Sequence, residues 1–302
     1  MYFKLHFIAG GLFLWNLSHE CVILLLMSDR KFLPVKSDVV FRMFFADERN
    51  EAFLISFLKS VLRLPEEDYN KIEIADPHLL PEHIGDKFAI IDVKLHTKSR
   101  KVIHIEIQLR VTSELRERIV FYGSKLITEQ LSSAGQYDEI QKVISIIITN
   151  DKLITDGEGY HHRFVFYDSE ACVEFTDIIE IHTLELCKLP YGTDGTELYD
   201  WAKFIAAETE EELNMVAERN AQVKGAVVKL RELSADERAR DMYERREKAQ
   251  RDIYSLQKQS RAEGKAEGKA EEREIWQGVV ADKDAEIAQL RTQLELRGNL
   301  IN

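Results

Sequence analysis

A chain of 302 residues, 45% hydrophobic and 31% charged, is long enough for one sizeable core with an appendage, or for two small domains. Its net charge of −12 argues against a broadly basic nucleic-acid binder, although local fields and bound cations decide contacts at a groove. Cys21, Cys172 and Cys187 are far apart and form no C-x-x-C, which speaks against a disulfide framework or a zinc knuckle and for a reducing, cytoplasmic setting.

The opening "MYFKLHFIAGGLFLWNLSHECVILLLM" is apolar, but Asn16, Ser18, His19 and Glu20 interrupt it. No uninterrupted span of about 20 apolar residues remains for a membrane helix, and no small-x-small cleavage site follows. Residues 1–34 are therefore expected to be an N-terminal extension, with Met27 the true start of the reading frame. From Ser37 to Leu64 apolar residues recur at helical spacing, giving two helices joined near "ADERNE", with Ser37 or Asp38 as the N-cap. A turn at Pro65, a strand at "KIEIAD" and a Pro-punctuated loop follow.

Two alternating runs come next, "KFAIIDVKLHT" and "KVIHIEIQLR", joined by "KSRK", a hairpin-length connection. A helix is expected from Leu115 towards Gly135, then a doubly buried strand "KVISIIITN", then strands at "RFVFYD" and "IIEIHTLEL". The pair His161 and His162, without an acidic or thiol partner at ligand spacing, reads as a loop feature. This order predicts an α/β domain over residues 35–190. Beyond it lie a helical region, 191–260, and a tail, 261–302, that opens on the repeat "AEGKAEGKAEE". The glycines of that repeat cost a helix about 1 kcal/mol each relative to Ala, making it the expected weak point. In the tail, Val280, Ile287, Leu290 and Leu294 fit a short coiled coil for homo-oligomerisation, or simply an amphipathic helix.

Strand geometry gives the hairpin two unlike faces. His104, Glu106 and Gln108 share one side of their strand, and Asp92 and Lys94 share one side of the other, with aliphatic residues opposite. Paired, the strands gather Asp92, Lys94, Glu106 and Gln108. Two carboxylates on neighbouring strands suit a hard divalent cation, which takes one or two carboxylates and fills its other positions with water or substrate phosphate. The same pattern is also that of the solvated face of an amphipathic hairpin.

An acidic residue, a strand turn and then "ExQ" resembles the PD-(D/E)XK nuclease superfamily, with Gln108 where the usual lysine would stand. More narrowly, the segments "SDVVFRMFF" (37–45), "GDKFAIIDVKL" (85–95), "IHIEIQ" (103–108) and "RIVFYGSKL…EQL…GQYDEIQKVISIII" (118–148), with the "AEGKAEGK" repeat, look like the Rpn family of recombination-promoting nucleases and transposases. The resemblance implies a restriction-endonuclease-like mixed sheet flanked by helices, and a Mg²⁺- or Mn²⁺-dependent DNA endonuclease linked to recombination or mobile elements. It implies that Asp92 and Glu106 ligate the metal and that Gln108 takes the lysine position. Because an amide carries no positive charge, another cation is needed at the phosphate, and Lys94 and Lys125 are the candidates. An acidic residue in the family's first helix corresponds to Asp38, a metal ligand or an N-cap. Tyr122 is expected to pack and Gln130 to lie on the surface. Lys98, Arg100, Lys101, Arg110, Arg116 and Arg118 are expected around the site as phosphate contacts, or as plain solvated charges. The competing reading is a catalytically inactive DNA- or protein-binding module with an oligomerising helical tail.

Overall fold

The computed structural model describes residues 32–75, 78–79, 89–90, 92–131 and 135–298. The expectations for the N-terminal extension and for Met27 lie outside these residues, as does "GDKF" at the head of the first hairpin run.

Helices α1 (Asp38–Phe45) and α2 (Glu51–Val61) form where the apolar spacing places them, with Phe41, Phe44, Phe45, Leu54, Phe57 and Leu58 fully buried. A one-turn helix α3 (Glu66–Tyr69) leads to strand β1 (Ile72–Ala75). Two short strands, β2 (His78–Leu79) and β3 (Ala89–Ile90), pair with each other. The hairpin is β4 (Val93–Thr97) and β5 (Val102–Gln108), closed by a turn in which Arg100 takes a left-handed conformation at φ 64°. Helix α4 (Leu115–Thr128) crosses to β6 (Val143–Thr149), which lies parallel to β5. All seven residues of β6 are buried, as an unbroken β-branched run predicts. Strands β7 (His161–Asp168) and β8 (Val173–Glu185) complete a six-stranded mixed sheet of order β1-β4-β5-β6-β8-β7.

Helix α4 ends at Thr128, short of Gly135, because Gln130 stops it. The Gln130 amide donates to Leu126 O at 3.1 Å and to Gln141 O at 3.0 Å, and its oxygen accepts from Gln141 N at 2.8 Å. Gln130 is thus a half-buried tie between the helix end and the entry to β6, and more than the plain surface residue expected. His161 and His162 open strand β7 and do not lie in a loop.

The two faces of the sheet are covered differently. Val93, Leu95, Ile103, Ile105, Ile107 and the even residues of β6 pack on α1 and α2 in the main core. The opposite face is covered by α4, through Leu126 on Val102 and Val143, and through Leu115 and Ile119 on Ile147. The main core also takes in the next three helices, α5 (Glu197–Ala206), α6 (Glu210–Arg219) and α7 (Ala221–Ala235). Trp201 and Phe204 meet Phe44, Phe45 and Phe57 at ring-centroid distances of 5.5 to 6.2 Å. The compact unit accordingly runs to Tyr243, past the Pro190 at which the sequence places the end of the α/β part. Its helices complete the sheet's core and are no appendage.

The second unit, Glu244–Asn302, is carried by the last helix, α8 (Glu237–Gly298). The helix continues through Gly264 and Gly268, flanked by Ala262, Ala266 and Ala270, the strongest helix formers. Along it Trp276, Val280, Ile287 and Leu290 are exposed.

Candidate active site

The antiparallel register sets Val93 opposite Ile105 and Lys94 opposite His104. The printed pairs end at Val93, so Asp92 stands one residue outside the ladder, next to the strand pair that carries Glu106 on β5.

Asp92 is 6% exposed. Its Oδ2 accepts from the Ile107 backbone N–H at 2.8 Å, and its Oδ1 accepts from Arg42 Nη2 at 3.1 Å. Its pKa is raised to about 6: burial raises it most, the Ile107 N–H and Arg42 lower it, and the Glu106 charge raises it slightly further. Glu106 Oε1 accepts from Arg118 Nη2 at 2.9 Å, and the same nitrogen donates to Gln108 Oε1 at 2.7 Å. Gln108 in turn donates to Arg110 O at 3.1 Å, so its amide is fixed at both ends. Tyr122 lies one helical turn after Arg118. Burial first, and the Glu106 charge second, raise its phenol.

His104 is fully buried between Ser145 Oγ, 3.1 Å from its Nδ1, and Glu106 Oε2, 3.9 Å from its Nε2. Among the described residues, His104 Nε2, Arg42 Nε and Arg118 Nε are buried without a hydrogen-bond partner. Three unmet polar atoms therefore surround two carboxylates. Buried polar atoms in folded proteins are otherwise almost always satisfied, so this is a site with room in its hydrogen bonding for something more.

The lysines stand elsewhere. Lys94 Nζ pairs with Glu129 at 3.0 Å, at the far end of α4. Lys125 is buried on α4, two helical turns or about 10 Å along the axis from Arg118. The cation that touches Glu106 and Gln108 is Arg118. Of the six basic residues expected around the site, Lys98, Arg100 and Lys101 sit at the hairpin turn. At about 3.3 Å per residue that turn is on the order of 20 Å from Glu106, and Lys101 there pairs with buried Asp68 at 2.7 Å. Arg116 donates to Leu153 O at 2.6 Å. Asp38 is the first residue of α1 and not its cap. Its Oδ1 accepts from Val39 N at 2.8 Å, while Ser37 holds the cap position without a side-chain bond. Arg42 follows Asp38 by one turn, a spacing that points to Asp38 as its partner and gives no signal for the contact with Asp92.

A protein-family model described as PD-(D/E)XK nuclease family transposase matches residues 35–260, about three quarters of the chain. The chain belongs to that family. The mixed sheet with flanking helices is the restriction-endonuclease-like architecture such a member should have, and membership supports a nuclease-like function. No curated protein and no solved structure was found to match the chain. In a PD-(D/E)XK family member, two neighbouring carboxylates are a fitting set of hard oxygen donors for a divalent cation. No group of three or more His, Cys, Asp and Glu at metal-binding distance occurs among the described residues.

A second buried polar cluster lies on β7 and β8. His161 Nε2 and His182 Nδ1 are 2.9 Å apart, and His182 Nε2 is 2.7 Å from Glu180 Oε1. Lys142 and Arg163 both donate to Glu180 Oε2, at 2.8 and 2.7 Å. Lys142 also donates to Asp177 at 2.6 Å and Arg163 pairs with Glu174 at 3.7 Å, so the cluster is a hydrogen-bonded network of the structural kind.

Proposed function

We propose that this protein is a divalent-metal-dependent endonuclease that hydrolyses DNA phosphodiesters. Asp92 and Glu106 would hold Mg²⁺ or Mn²⁺, and Gln108 would occupy the place of the superfamily's lysine. The observation that supports the reading is the hydrogen bond from the Ile107 N–H of β5 to the Asp92 carboxylate, which brings Asp92 beside the strand that carries Glu106 in a chain of this family. When bound, the metal supplies Lewis-acid stabilisation of the phosphate and a more acidic water.

The chain's own residues do the rest. The Ile107 N–H fixes the Asp92 carboxylate, and Gln108, anchored on Arg110 O, is oriented to hold a water or phosphate oxygen. Helix α4 closes over the polar face and limits access of bulk water. Arg118 is the nearest positive charge, with Lys94 and Lys125 further along the same covered face. Asp38, one turn before Arg42, remains a candidate for an outer contact to the metal. A link to recombination or mobile elements is part of this proposal, as are a cytoplasmic location and self-association through the exposed apolar stripe of α8. No helix among the described residues is long and apolar enough to cross a membrane.

One observation favours the alternative of an inactive binding module: each carboxylate is already neutralised by an arginine. Nicking of supercoiled plasmid separates the two. The purified protein with Mg²⁺ should nick it, EDTA should abolish nicking, and Asp92→Ala and Glu106→Ala should each lose about 100-fold or more of the rate. Salt-sensitive DNA binding without cleavage would instead establish the binding module.

A further inference from the structure

Arg42 and Arg118 hold the two carboxylates in an unusual way. Guanidinium and carboxylate planes commonly meet fork to fork, with two parallel hydrogen bonds. Here Arg42 reaches Asp92 through Nη2 alone, and Arg118 reaches Glu106 through Nη2 alone. The Nε of each is buried and, among the described residues, without a partner. The arginine side chains are 41% and 35% exposed, whereas the carboxylates they hold are 8% and 13% exposed. Each arginine meets its buried acid through one nitrogen of a partly exposed side chain, with its Nε unused; Arg118 Nη2 also donates to Gln108 Oε1 at 2.7 Å.

The unused donors define what is missing. Together with Nη2, once that nitrogen leaves its carboxylate, each Nε completes the two-pronged face that matches two oxygens of a phosphate. Arg42 comes from α1 and Arg118 from α4, on two separate elements, and both reach the polar cluster at the Asp92–Glu106 end of the hairpin. A divalent cation on Asp92 and Glu106 would compete directly with both arginines for the same oxygens, because two positive groups cannot share them without repulsion.

We propose that Arg42 and Arg118 are the phosphate-binding cations of this site: they rest on Asp92 and Glu106 in the free protein and pass to the phosphodiester when a divalent cation takes the carboxylates. This rests on the nuclease reading above and assigns Arg118, not Lys94 or Lys125, to the role left vacant by Gln108. It also resolves the observation that favours an inactive module, since neutralised carboxylates are then the resting state of a working site.

The proposal makes two predictions of opposite sign for one substitution. Arg118→Gln removes a competitor for Glu106, so Mn²⁺ alone, titrated by calorimetry, should bind about tenfold more tightly than to the wild type. The same variant should bind a fluorescent 20-base-pair duplex in Ca²⁺ about tenfold more weakly by anisotropy. Arg118→Lys should recover part of the duplex binding. Arg42→Gln carries the same pair of predictions at Asp92 and serves if Arg118→Gln does not fold by circular dichroism. A purely structural arginine would lower both affinities or leave both unchanged, and that result overturns the proposal while leaving the nuclease reading intact. If wild type and Glu106→Ala bind Mn²⁺ equally, the carboxylates are not the metal site and both readings fail.

Discussion

At the scale of single residues, the buried polar groups divide into those satisfied by their neighbours and those left open. The His161–His182–Glu180 network is of the first kind, and it carries a pH signature. Burial above all, then the charges of His182, His162 and Arg63, lower the His161 pKa to about 4. Glu180 is pushed up by burial, but hydrogen bonds from His182, Arg163 and Lys142 outweigh this and hold it well below the usual carboxylate range. Between pH 6.5 and 4 the unfolded chain therefore binds a proton at His161 that the folded chain refuses, and stability falls as pH falls. Protonation of Glu180 in the unfolded chain adds to the loss below about pH 4.5. The His161 share is on the order of 1–2 kcal/mol once its partial exposure is allowed for. Urea unfolding at pH 6.5 and 4.5 should show the decrease, and His161→Asn should reduce it. An unchanged pH slope in that variant would show that the network does not set the acid limit.

The polar cluster around Asp92 is of the second kind, and its members were unequally legible. Asp92, Glu106 and Gln108 were readable because strand alternation is strict: a carboxylate amid isoleucines on a period of two stands out. Arg42 was not. It lies inside an apolar helical run whose evident message is burial, and nothing in that run says that its guanidinium crosses to a strand fifty residues away. Arg118 was visible only as one of six basic residues. Distinguishing it required the rotation of α4 over the sheet, which depends on Leu115, Ile119 and Leu126 finding their places against Ile147, Val102 and Val143.

At the scale of elements, the order of helices and strands follows from periodicity, and it was recovered almost in full. The departures have physical causes. Helix α4 stops early because the Gln130 side chain competes for its last carbonyls and for the backbone of Gln141. Helix α8 runs through its glycines because alanines and long charged residues on either side favour helix by more than two glycines oppose it. Elsewhere a glycine is needed for packing and not for its backbone freedom. Gly225 lies in α7 against Phe53 of α2, and a Cβ there would stand 2.8 and 3.1 Å from two ring carbons. Gly225→Ala should therefore destabilise the protein by about 1–3 kcal/mol in chemical denaturation, despite alanine's better helix propensity. A neutral or stabilising effect would mean that the α2–α7 contact relaxes freely.

At the scale of the whole molecule, sequence composition suggested a break after Pro190, where charge rises and strands cease. The core runs on instead, because Trp201, Phe204, Leu213, Val223 and Leu230 join α1 and α2 in the cluster that backs the aliphatic face of the sheet. The candidate site is consequently a product of the entire unit: α1 delivers Arg42, β4 and β5 deliver the carboxylates, and α4 delivers Arg118 and the cover. Sequence locates the carboxylates, but only the packed layers bring the arginines to them.

Whether Asp92 and Glu106 form one divalent-metal site is settled by an anomalous difference map from crystals soaked in Mn²⁺. A peak is expected about 2.1–2.3 Å from a carboxylate oxygen of each residue, with Arg42 and Arg118 displaced from both. A peak elsewhere, or Mn²⁺ absent from the pair while both arginines stay in place, would contradict such a site.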